Sequence, residues 1–256
     1  MRLDVYLAEN GYTESRERAK RLVLSGAVQL DGKTVQKPSL EILGSPAVTV
    51  REEKFVGRGG EKLQAALELF AIDPTGLRAL DIGASTGGFT HCLLIGGAAH
   101  VTALDAGVGQ LHPKLLADAR VTNVEKYNAR ELSACDVGRF DLAVMDVSFI
   151  SQTYILPRLA HVLVPNGRAV TLIKPQFEAG RAALNKKGIV KDPRDRMLAI
   201  RRVLESARAS GLVPSGLARS PILGGDGNVE YLAYFTLVGE DTVTEEIILK
   251  TVLEGR

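Results

Sequence analysis

The chain has 256 residues, of which 45% are hydrophobic and 24% charged, and its formal net charge at pH 7 is +2. This composition is typical of a soluble globular protein with one large and one small domain, and it gives no general polycation signal. The two cysteines exclude a disulfide framework, the acidic start excludes a signal peptide, and no unbroken apolar run could span a membrane. We therefore expect a cytoplasmic protein with buried free thiols.

The first fifty residues have the pattern of a small α+β unit. Helices are predicted over residues 2–10 and 16–24, the second with Ser15 as its N-cap. An alternating apolar stretch then leads into Asp31-Gly32, a pair typical of a β-hairpin turn. We expect this unit to occupy residues 1–50 as a domain of its own.

Basic residues are concentrated on the second predicted helix of this unit. On charge alone, a solvated helix face is the better interpretation. The order R-L-D, S-R-x-x-A and G-x-V-x-L-D-G-K-x-V-x-K-P, however, resembles the S4 RNA-binding domain. The resemblance implies contacts to RNA phosphates, which position the RNA rather than read its bases. The implied residues are Arg2, Arg16, Arg18, Lys20, Arg21 and Lys37.

Residues 51–59 are predicted to link this unit to a larger domain over residues 60–256. Residues 51–54 are charged, and F-V-G-R-G-G-E-K at 55–62 places Arg58 and Lys62 beside three glycines. We interpret this stretch as a functional loop that leads into a helix over residues 61–70. The alternative is an ordinary helix start with a solvated lysine.

A glycine-rich turn follows the first apolar strand of the larger domain. L-D-I-G-A-S-T-G-G-F-T at 80–90 has the strand–turn–helix order of a nucleotide-type ligand site, in which glycines let the backbone approach the ligand. It lacks the Lys-Ser/Thr pair of a P-loop, and Ser85 replaces a glycine of the dinucleotide fingerprint. The spacing alone does not identify the ligand.

From residue 78 onward, strands alternate with helices, which predicts a parallel sheet with right-handed crossovers. Asp105 and Asp146 end the second and fourth strands, where open parallel sheets bind ligands. Strands are predicted at 79–82, 100–105, 121–125, 142–147, 168–173 and 231–238, with another near 212–217. Helices are predicted at 90–95, 113–117, 151–162 and 194–210, with a final helix within 240–256.

Charged residues are predicted to meet above the carboxyl edge of this sheet. Lys174 follows an apolar strand, Asp146 ends the neighbouring strand, and Glu230 begins another. A lysine buried at a strand end must be paired or lose its charge. Together with Lys62 these residues suggest a site with two lysines and two carboxylates. A buried salt-bridge network without catalysis is an equally good interpretation of the residues alone.

The motifs of the larger domain resemble a known enzyme family. Residues 80–90, V-M-D-V-S-F-I-S (144–151), L-I-K-P-Q-F-E-A-G (172–180) and G-N-V-E-Y (227–231) resemble the RrmJ/FtsJ-like RNA 2′-O-ribose methyltransferases. With the S4-like start, nearly the whole chain resembles the TlyA family, which carries both rRNA methyltransferase and hemolysin names. The resemblance implies an α/β, Rossmann-like fold with a seven-stranded, mostly parallel sheet flanked by helices. It also implies S-adenosyl-L-methionine (SAM) as cofactor, ribosomal RNA or ribosomal subunits as partner, and no metal.

The family resemblance also implies roles for individual residues. Lys62, Asp146, Lys174 and Glu230 would form the catalytic tetrad, with Lys174 as the general base for a ribose 2′-OH or as the stabiliser of the developing alkoxide. Asp105 would hold the ribose hydroxyls of SAM, and Asn128 would lie near the adenine. The implied cofactor-binding residues are Asp81, Gly83, Ala84, Ser85, Thr86, Gly87, Gly88, Phe89, Asp105, Asn128 and Asp146.

One departure from the family lies in the linker. Where the family often has an Arg-x-Trp-Val-like tetrapeptide, this chain has Glu53-Lys54-Phe55-Val56. The aromatic character is kept and the basic residue moves. The departure bears on communication between the domains and leaves the proposed chemistry unchanged.

A second basic stretch follows the strand that precedes Lys174. Residues 175–202 contain eight basic and three acidic residues. A solvated loop and helix is one interpretation, but the location favours a second RNA-facing surface. We predict that Arg58, Lys186 and Lys187 contact RNA on this side.

Three other functions stay open from the sequence. The hemolysin name suggests a membrane-lytic protein, and a relict fold would suit a non-catalytic RNA-binding assembly factor. A nicotinamide-dependent oxidoreductase is the remaining enzyme class. The family implies cytidine as the target, whereas the residues leave open the nucleotide, the ribosomal subunit and the oligomeric state.

Overall fold

The computed structural model describes residues 1–24, 26–50, 54–224 and 227–253. Two compact units are formed, Met1–Lys54 and Phe55–Arg256. Part of the predicted linker, residues 51–53 with Glu53 of the tetrapeptide, lies outside the described residues, as do residues 254–256 of the predicted final helix.

The first unit packs two helices against a small antiparallel sheet. Its elements are α1 (Leu3–Glu9), α2 (Arg16–Leu24), β1 (Val28–Leu30), β2 (Lys33–Val35) and β3 (Val48–Val50). The strand order is β2-β1-β3, and an apolar core including Leu3, Leu7 and Leu22 is buried between the layers. This arrangement is the α+β unit expected from the sequence.

Two local predictions in this unit are confirmed. The backbone N–H of Arg18 donates to Ser15 Oγ at 3.2 Å, which is the N-cap bond at the start of α2. Asp31 and Gly32 have φ angles of 48° and 77°, the left-handed pair that a tight two-residue hairpin requires. The turn joins β1 directly to β2.

The second unit is built on a seven-stranded sheet with helices on its faces. Its strands are β4 (Arg78–Ile82), β5 (His100–Leu104), β6 (Val121–Val124), β7 (Phe140–Met145), β8 (Leu163–Ile173), β9 (Val213–Arg219) and β10 (Tyr231–Thr236). Its helices are α3 (Gly59–Leu69), α4 (Gly88–Ile95), α5 (Pro113–Leu116), α6 (Ala134–Val137), α7 (Leu156–Leu159), α8 (Pro175–Glu178), α9 (Pro193–Ala209) and α10 (Glu245–Leu253). Short 3₁₀ turns lie at Ala129–Glu131, Gln152–Tyr154, Ala160–Val162 and Arg181–Ala183.

The strand order determines where a ligand can bind. The order is β6-β5-β4-β7-β8-β10-β9, and only β10 pairs antiparallel with its neighbours. From β4 the chain moves outward to β5 and β6 and then returns to β7, so the topological switch point lies between β4 and β7. Because β10 is reversed, its first residue, Tyr231, pairs with the last residue of β8, Ile173. The segments before β10 and after β4, β7 and β8 therefore meet at one edge.

The predicted helix over residues 151–162 is wrong. Three short pieces occupy this stretch: a 3₁₀ turn at Gln152–Tyr154, α7 and a second 3₁₀ turn at Ala160–Val162. A continuous helix would place Pro157 in its interior, where proline lacks the N–H donor and its ring clashes with the preceding turn. In the structure Pro157 lies in the first turn of α7, where that donor is not needed.

Other boundaries differ from prediction for local reasons. The helix predicted from residue 61 begins at Gly59, because Gly60 packs directly against the Phe55 ring and a side chain there would collide with it. Cys135 is exposed, so the prediction of two buried thiols is wrong for that residue and holds for Cys92. Within the described ranges, every helix is too short or too polar to cross a lipid bilayer.

Candidate active site

The glycine loop after β4 is shaped by close backbone packing at the switch point. Gly83 has φ +81°, and a Cβ at this position would lie 2.8 Å from the carbonyl oxygen of Asp146. Gly87 has φ +90°, and a Cβ there would collide with Leu115. Both the left-handed conformation and the contact favour glycine at these two predicted positions. The loop therefore lies directly against the segment that follows β7.

Asp81 lies beneath this loop and lines neither of the clefts described below. Its side chain is fully buried, and Oδ2 accepts hydrogen bonds from the backbone N–H of Thr90 (2.8 Å) and from Thr90 Oγ1 (2.6 Å). Burial raises the pKa of this carboxyl to about 7, against the opposing effect of the Thr90 bonds. The structure thus places Asp81 as a support for the start of α4.

Asp81 gives the fold a measurable pH dependence. Because its folded pKa is raised from 3.8 to about 7, the folded protein binds more protons than the unfolded chain between these values. The free energy of unfolding should therefore fall as pH rises through this window, by up to about 1.4 kcal/mol per pH unit. Asp81→Asn removes the titration, so urea unfolding at about pH 5 and about pH 7 should show a smaller loss in the variant. Equal losses in the two proteins would contradict this assignment.

The first of two adjacent clefts lies over the ends of β4, β5 and β7 and has a volume of about 400 Å³. Asp105 lines it and ties two loops together: Oδ2 accepts from the Ser85 N–H and Oδ1 from the Gly107 N–H, both at 2.8 Å. Asn128 also lines the cleft, as predicted positions Gly83, Ser85 and Asp146 do. Further lining residues that sequence reasoning did not single out are Gln110, Tyr127 and Phe149.

The second cleft, of about 200 Å³, lies between the start of α3 and the glycine loop. Gly57, Arg58 and Gly59 form one wall, and Lys174 contributes to another. The backbones are so close that a Cβ at Gly57 would lie 2.8 Å from Thr86 Oγ1. The predicted residues Ala84, Thr86, Gly88 and Phe89 line this cleft, and Gly83, Ser85, Asp146 and Ser148 line both clefts.

The four predicted tetrad residues form two ion pairs at this edge of the sheet. Lys174 Nζ lies 2.6 Å from Asp146 Oδ1, and Lys62 Nζ donates to Glu230 Oε2 at 2.5 Å. Both lysines and Glu230 are buried. Glu230 and Lys174 are the next residues beyond the Tyr231–Ile173 pair of the β10–β8 ladder, which places both at the same end of adjacent strands. Asp146 brings the Lys174 pair to the wall that the two clefts share.

Ser148 is a further polar group of the site. Lys174 Nζ donates to Ser148 Oγ at 2.8 Å, so the amine is held by a carboxylate and a hydroxyl from the same segment. The sequence signal was present, because Ser148 lies two residues after Asp146 in the V-M-D-V-S motif. Whether its side chain would face the lysine depended on the backbone after β7, which the motif alone did not determine.

A buried carboxylate fixes the segment that carries Ser148. Glu178 accepts hydrogen bonds from Ser151 Oγ (2.5 Å) and from the backbone N–H of Gln152 (2.9 Å). Burial raises the pKa of Glu178, while these hydrogen bonds act in the opposite direction. The segments that follow β7 and β8 are therefore joined behind the Asp146–Lys174 pair.

The predicted RNA-binding residues of the first unit form a partly paired basic surface. Arg2 Nε and Arg16 Nε lie 3.0 and 3.1 Å from the buried carboxylate of Asp4, and their hydrogen bonds lower its pKa to about 2. Arg18 pairs with Glu14 at 3.0 Å. These contacts hold the guanidinium groups in place and leave those of Arg2 and Arg16 about half exposed. Lys20, Arg21 and Lys37 are exposed.

Comparison with known proteins agrees with this geometry. The profile of the S4 domain matches residues 1–45, and that of the FtsJ-like methyltransferases matches residues 55–237. The chain is 42% identical to Bacillus subtilis YqxC, provisionally named an rRNA methyltransferase, over 99% of this chain and 93% of the relative. It is 40% identical to the Mycobacterium tuberculosis 16S/23S rRNA (cytidine-2′-O)-methyltransferase TlyA, over 99% and 98% of the two chains. A solved structure of a Streptococcus thermophilus protein with a hemolysin name superposes with a TM-score of 0.78 at 40% identity, covering 98% of this chain and 94% of that one.

The fold and the site define the class. A seven-stranded sheet with one reversed strand, a glycine loop after its first strand and acidic residues at the ends of the next strands is the Rossmann-like methyltransferase arrangement. The chain belongs to the FtsJ-like methyltransferase family and carries an S4 domain at residues 1–45. The predicted fold class is thereby confirmed.

Proposed function

We propose that this protein is a SAM-dependent rRNA (ribose-2′-O-)methyltransferase that acts on cytidine in the cytoplasm. The observation that carries the proposal is the convergence of the Lys174–Asp146 and Lys62–Glu230 pairs at the edge of the sheet where two clefts share a wall. One cleft can hold a methyl donor while the other admits a ribose. The activity of the 40% identical relative, as named, supports the choice of substrate.

The residues of the first cleft fit SAM. Its volume lies within the range of small-molecule sites. The Asp105 carboxylate faces the cleft at the end of β5, where an acidic group can hold the two ribose hydroxyls. Asn128 and Tyr127 are at hand for the adenine, and the glycine loop leaves room for the backbone to approach the methionine part. When bound, SAM would supply a methyl group made electrophilic by a sulfonium.

The protein's task is to position a ribose 2′-oxygen and to manage its proton. A neutral Lys174 amine can take the proton from the 2′-hydroxyl, with Asp146 and Ser148 fixing the direction of Nζ. A charged Lys174 would instead stabilise the oxygen as negative charge develops on it. The buried Lys62–Glu230 pair lies on the other side of the same edge and adds a second, internally compensated charge pair.

Two basic surfaces would hold the RNA. The S4 unit presents Arg2, Arg16, Arg18, Lys20, Arg21 and Lys37, and the larger unit presents Arg58, Lys186 and Lys187. Arg58 lines the second cleft beside Lys174, where it can contact a phosphate next to the target ribose. Two surfaces on separate units suit a structured RNA better than a short oligonucleotide. We propose that residues 51–59 link the two units.

Replacing Asp105 tests the cofactor assignment. We expect Asp105→Ala to weaken SAM binding by about 10- to 100-fold, the effect of losing charge-assisted hydrogen bonds. Titration calorimetry with SAM measures the change, and thermal unfolding checks the loops that Asp105 ties together. Asp118→Ala, which removes an exposed carboxylate paired with Arg120, is the control. Unchanged SAM affinity in Asp105→Ala would contradict the assignment.

The activity itself can be tested in vitro. Purified protein, ribosomal subunits and SAM with a radiolabelled methyl group should yield label in the RNA, at positions that resist alkaline cleavage because the 2′-oxygen is blocked. Calorimetry should show binding of SAM and none of NAD. Dye release from liposomes without SAM, together with unlabelled RNA, would instead support the membrane-lytic function that some relatives' names suggest.

A further inference from the structure

Residues 184–190 form a short hairpin that presents two lysines. A bridge between Leu184 and Val190 closes the hairpin, and Lys186 and Lys187 are exposed at its tip. Asn185 shapes the turn, because its Oδ1 accepts hydrogen bonds from the backbone N–H groups of Lys187 (2.8 Å) and Ile189 (3.0 Å). The two ammonium groups are therefore presented on an ordered turn.

Other basic residues of the surrounding stretch are engaged within the protein. Arg194 pairs with Asp192 at 2.8 Å and Arg201 with Glu245 at 2.6 Å. Arg202 donates to the carbonyl of Glu178 at 2.9 Å. The hairpin tip is thus the part of the stretch best suited to an external polyanion.

A buried amide attaches the hairpin to the segment of Glu230. Asn228 is 1% exposed, and its Oδ1 accepts from the backbone N–H of Val190 (3.1 Å) while its Nδ2 donates to the Gly188 carbonyl (3.1 Å). Both polar atoms of the side chain are therefore used on the hairpin. An amide buried this completely is costly to displace, because its partners would be left unpaired.

The contacts continue from Asn228 to the tetrad. The backbone N–H of Gly224 donates to the Asn228 carbonyl at 2.9 Å. A Cβ at Gly224 would collide with Glu230 Oε1, so Gly224 packs directly against that carboxylate. Glu230 Oε2 in turn accepts from Lys62 Nζ. An unbroken series of contacts therefore joins the lysine tip to the buried ion pair.

We propose that the 184–190 hairpin is a docking arm for the phosphate backbone of RNA, and that Asn228 is a positioning residue that couples this arm to Glu230. The inference rests on the proposed function and adds to it a named surface and a coupling residue. RNA is the partner that fits, because two lysines on an ordered turn can neutralise adjacent phosphates without reading bases.

Removing the tip charges should weaken RNA binding alone. We expect Lys186→Ala/Lys187→Ala to raise KM for ribosomal RNA about tenfold and to reduce the salt dependence of binding by about two phosphate contacts, with kcat within about twofold of wild type. Asn185→Ala keeps both charges but loses the turn bonds, so it should raise KM by a smaller factor. The control is Lys250→Ala, an exposed lysine on α10, which should change neither quantity.

Removing the coupling residue should change both kinetic constants. Asn228→Ala should raise KM for RNA about tenfold and lower kcat about tenfold, with SAM affinity by calorimetry unchanged within about twofold. Adding Lys186→Ala/Lys187→Ala to it should raise KM little further, because the arm is already displaced. Asn228→Asp keeps the acceptor for Val190 but loses the donor to Gly188, so it should show the same split if Asn228→Ala fails to fold.

The outcomes separate the two proposals. Unchanged KM and salt dependence in the double lysine variant would overturn the docking arm, and unchanged kcat in a folded Asn228 variant would overturn the coupling. If the wild type transfers no methyl group, the proposed function fails. Fluorescence anisotropy with ribosomal RNA then still decides the arm, because the lysine variants should bind about tenfold more weakly than wild type and Lys250→Ala should not.

Discussion

Lys174→Ala should reduce methyl transfer to ribosomal RNA by at least about 1,000-fold while SAM affinity stays within about twofold of wild type. Lys174 Nζ touches Asp146 and Ser148 at the wall between the clefts, and no described residue other than Lys174 brings an amine to that point. Its loss removes the group that handles the 2′-hydroxyl proton or its developing charge. Single-turnover kinetics with saturating SAM and calorimetry measure the two quantities separately.

The choice of control and of second variant sharpens this prediction. Lys250→Ala removes an exposed lysine from α10 and should leave transfer unchanged. Lys174→Arg keeps a permanent positive charge, so it should be inactive if a neutral amine takes the proton and partly active if charge stabilises the oxygen. Near-normal turnover in Lys174→Ala would contradict either role for this lysine.

Lys62→Met should lower the free energy of unfolding by about 3–5 kcal/mol. The substitution leaves the Glu230 carboxylate buried without its partner, and Glu230 is only 3% exposed. Because an uncompensated buried charge is the cause, Lys62→Met/Glu230→Leu should recover most of the lost stability and remain inactive in methyl transfer. Urea unfolding of the three proteins at neutral pH measures the difference.

An exposed ion pair provides the matched comparison. Arg201 and Glu245 lie 2.6 Å apart on the surface, and both side chains are more than a third exposed. Arg201→Met should therefore cost at most about 1 kcal/mol. A loss of less than 1 kcal/mol in Lys62→Met would show that the Lys62–Glu230 pair is not held in a low-dielectric environment.

The fold was predictable because its strands are short apolar runs separated by glycine and proline turns. Parallel strands buried on both faces read as continuous apolar stretches, as β7 does with four consecutive buried residues from Leu142 to Met145. The broken stretch over residues 151–162 was not predictable in the same way. Its shape depends on Pro157 and on the buried Gln152 amide, whose Oε1 accepts from Thr171 Oγ1 at 2.7 Å. That contact joins residues 19 positions apart and leaves no periodic pattern.

The site was predictable in its members but not in their pairing. Family motifs marked all four tetrad residues, whereas which lysine meets which carboxylate depends on contacts between distant parts of the chain. Lys62 and Glu230 are 168 positions apart, and the reversal of β10 brings them together. Asp81 shows the opposite limit: its motif position implied cofactor contact, but the Thr90 hydrogen bonds turn its carboxylate under the loop. The roles proposed for these residues stay predictions until the variants are measured.

The most direct test of the central claim is a map of 2′-O-methyl positions in ribosomal RNA from cells with and without this protein. We expect at least one 2′-O-methylcytidine to be absent from the deletion strain, to return with the wild-type gene, and to stay absent with Lys174→Ala. Identical maps in the presence and absence of the protein would contradict the claim that the Lys174 site methylates ribosomal RNA.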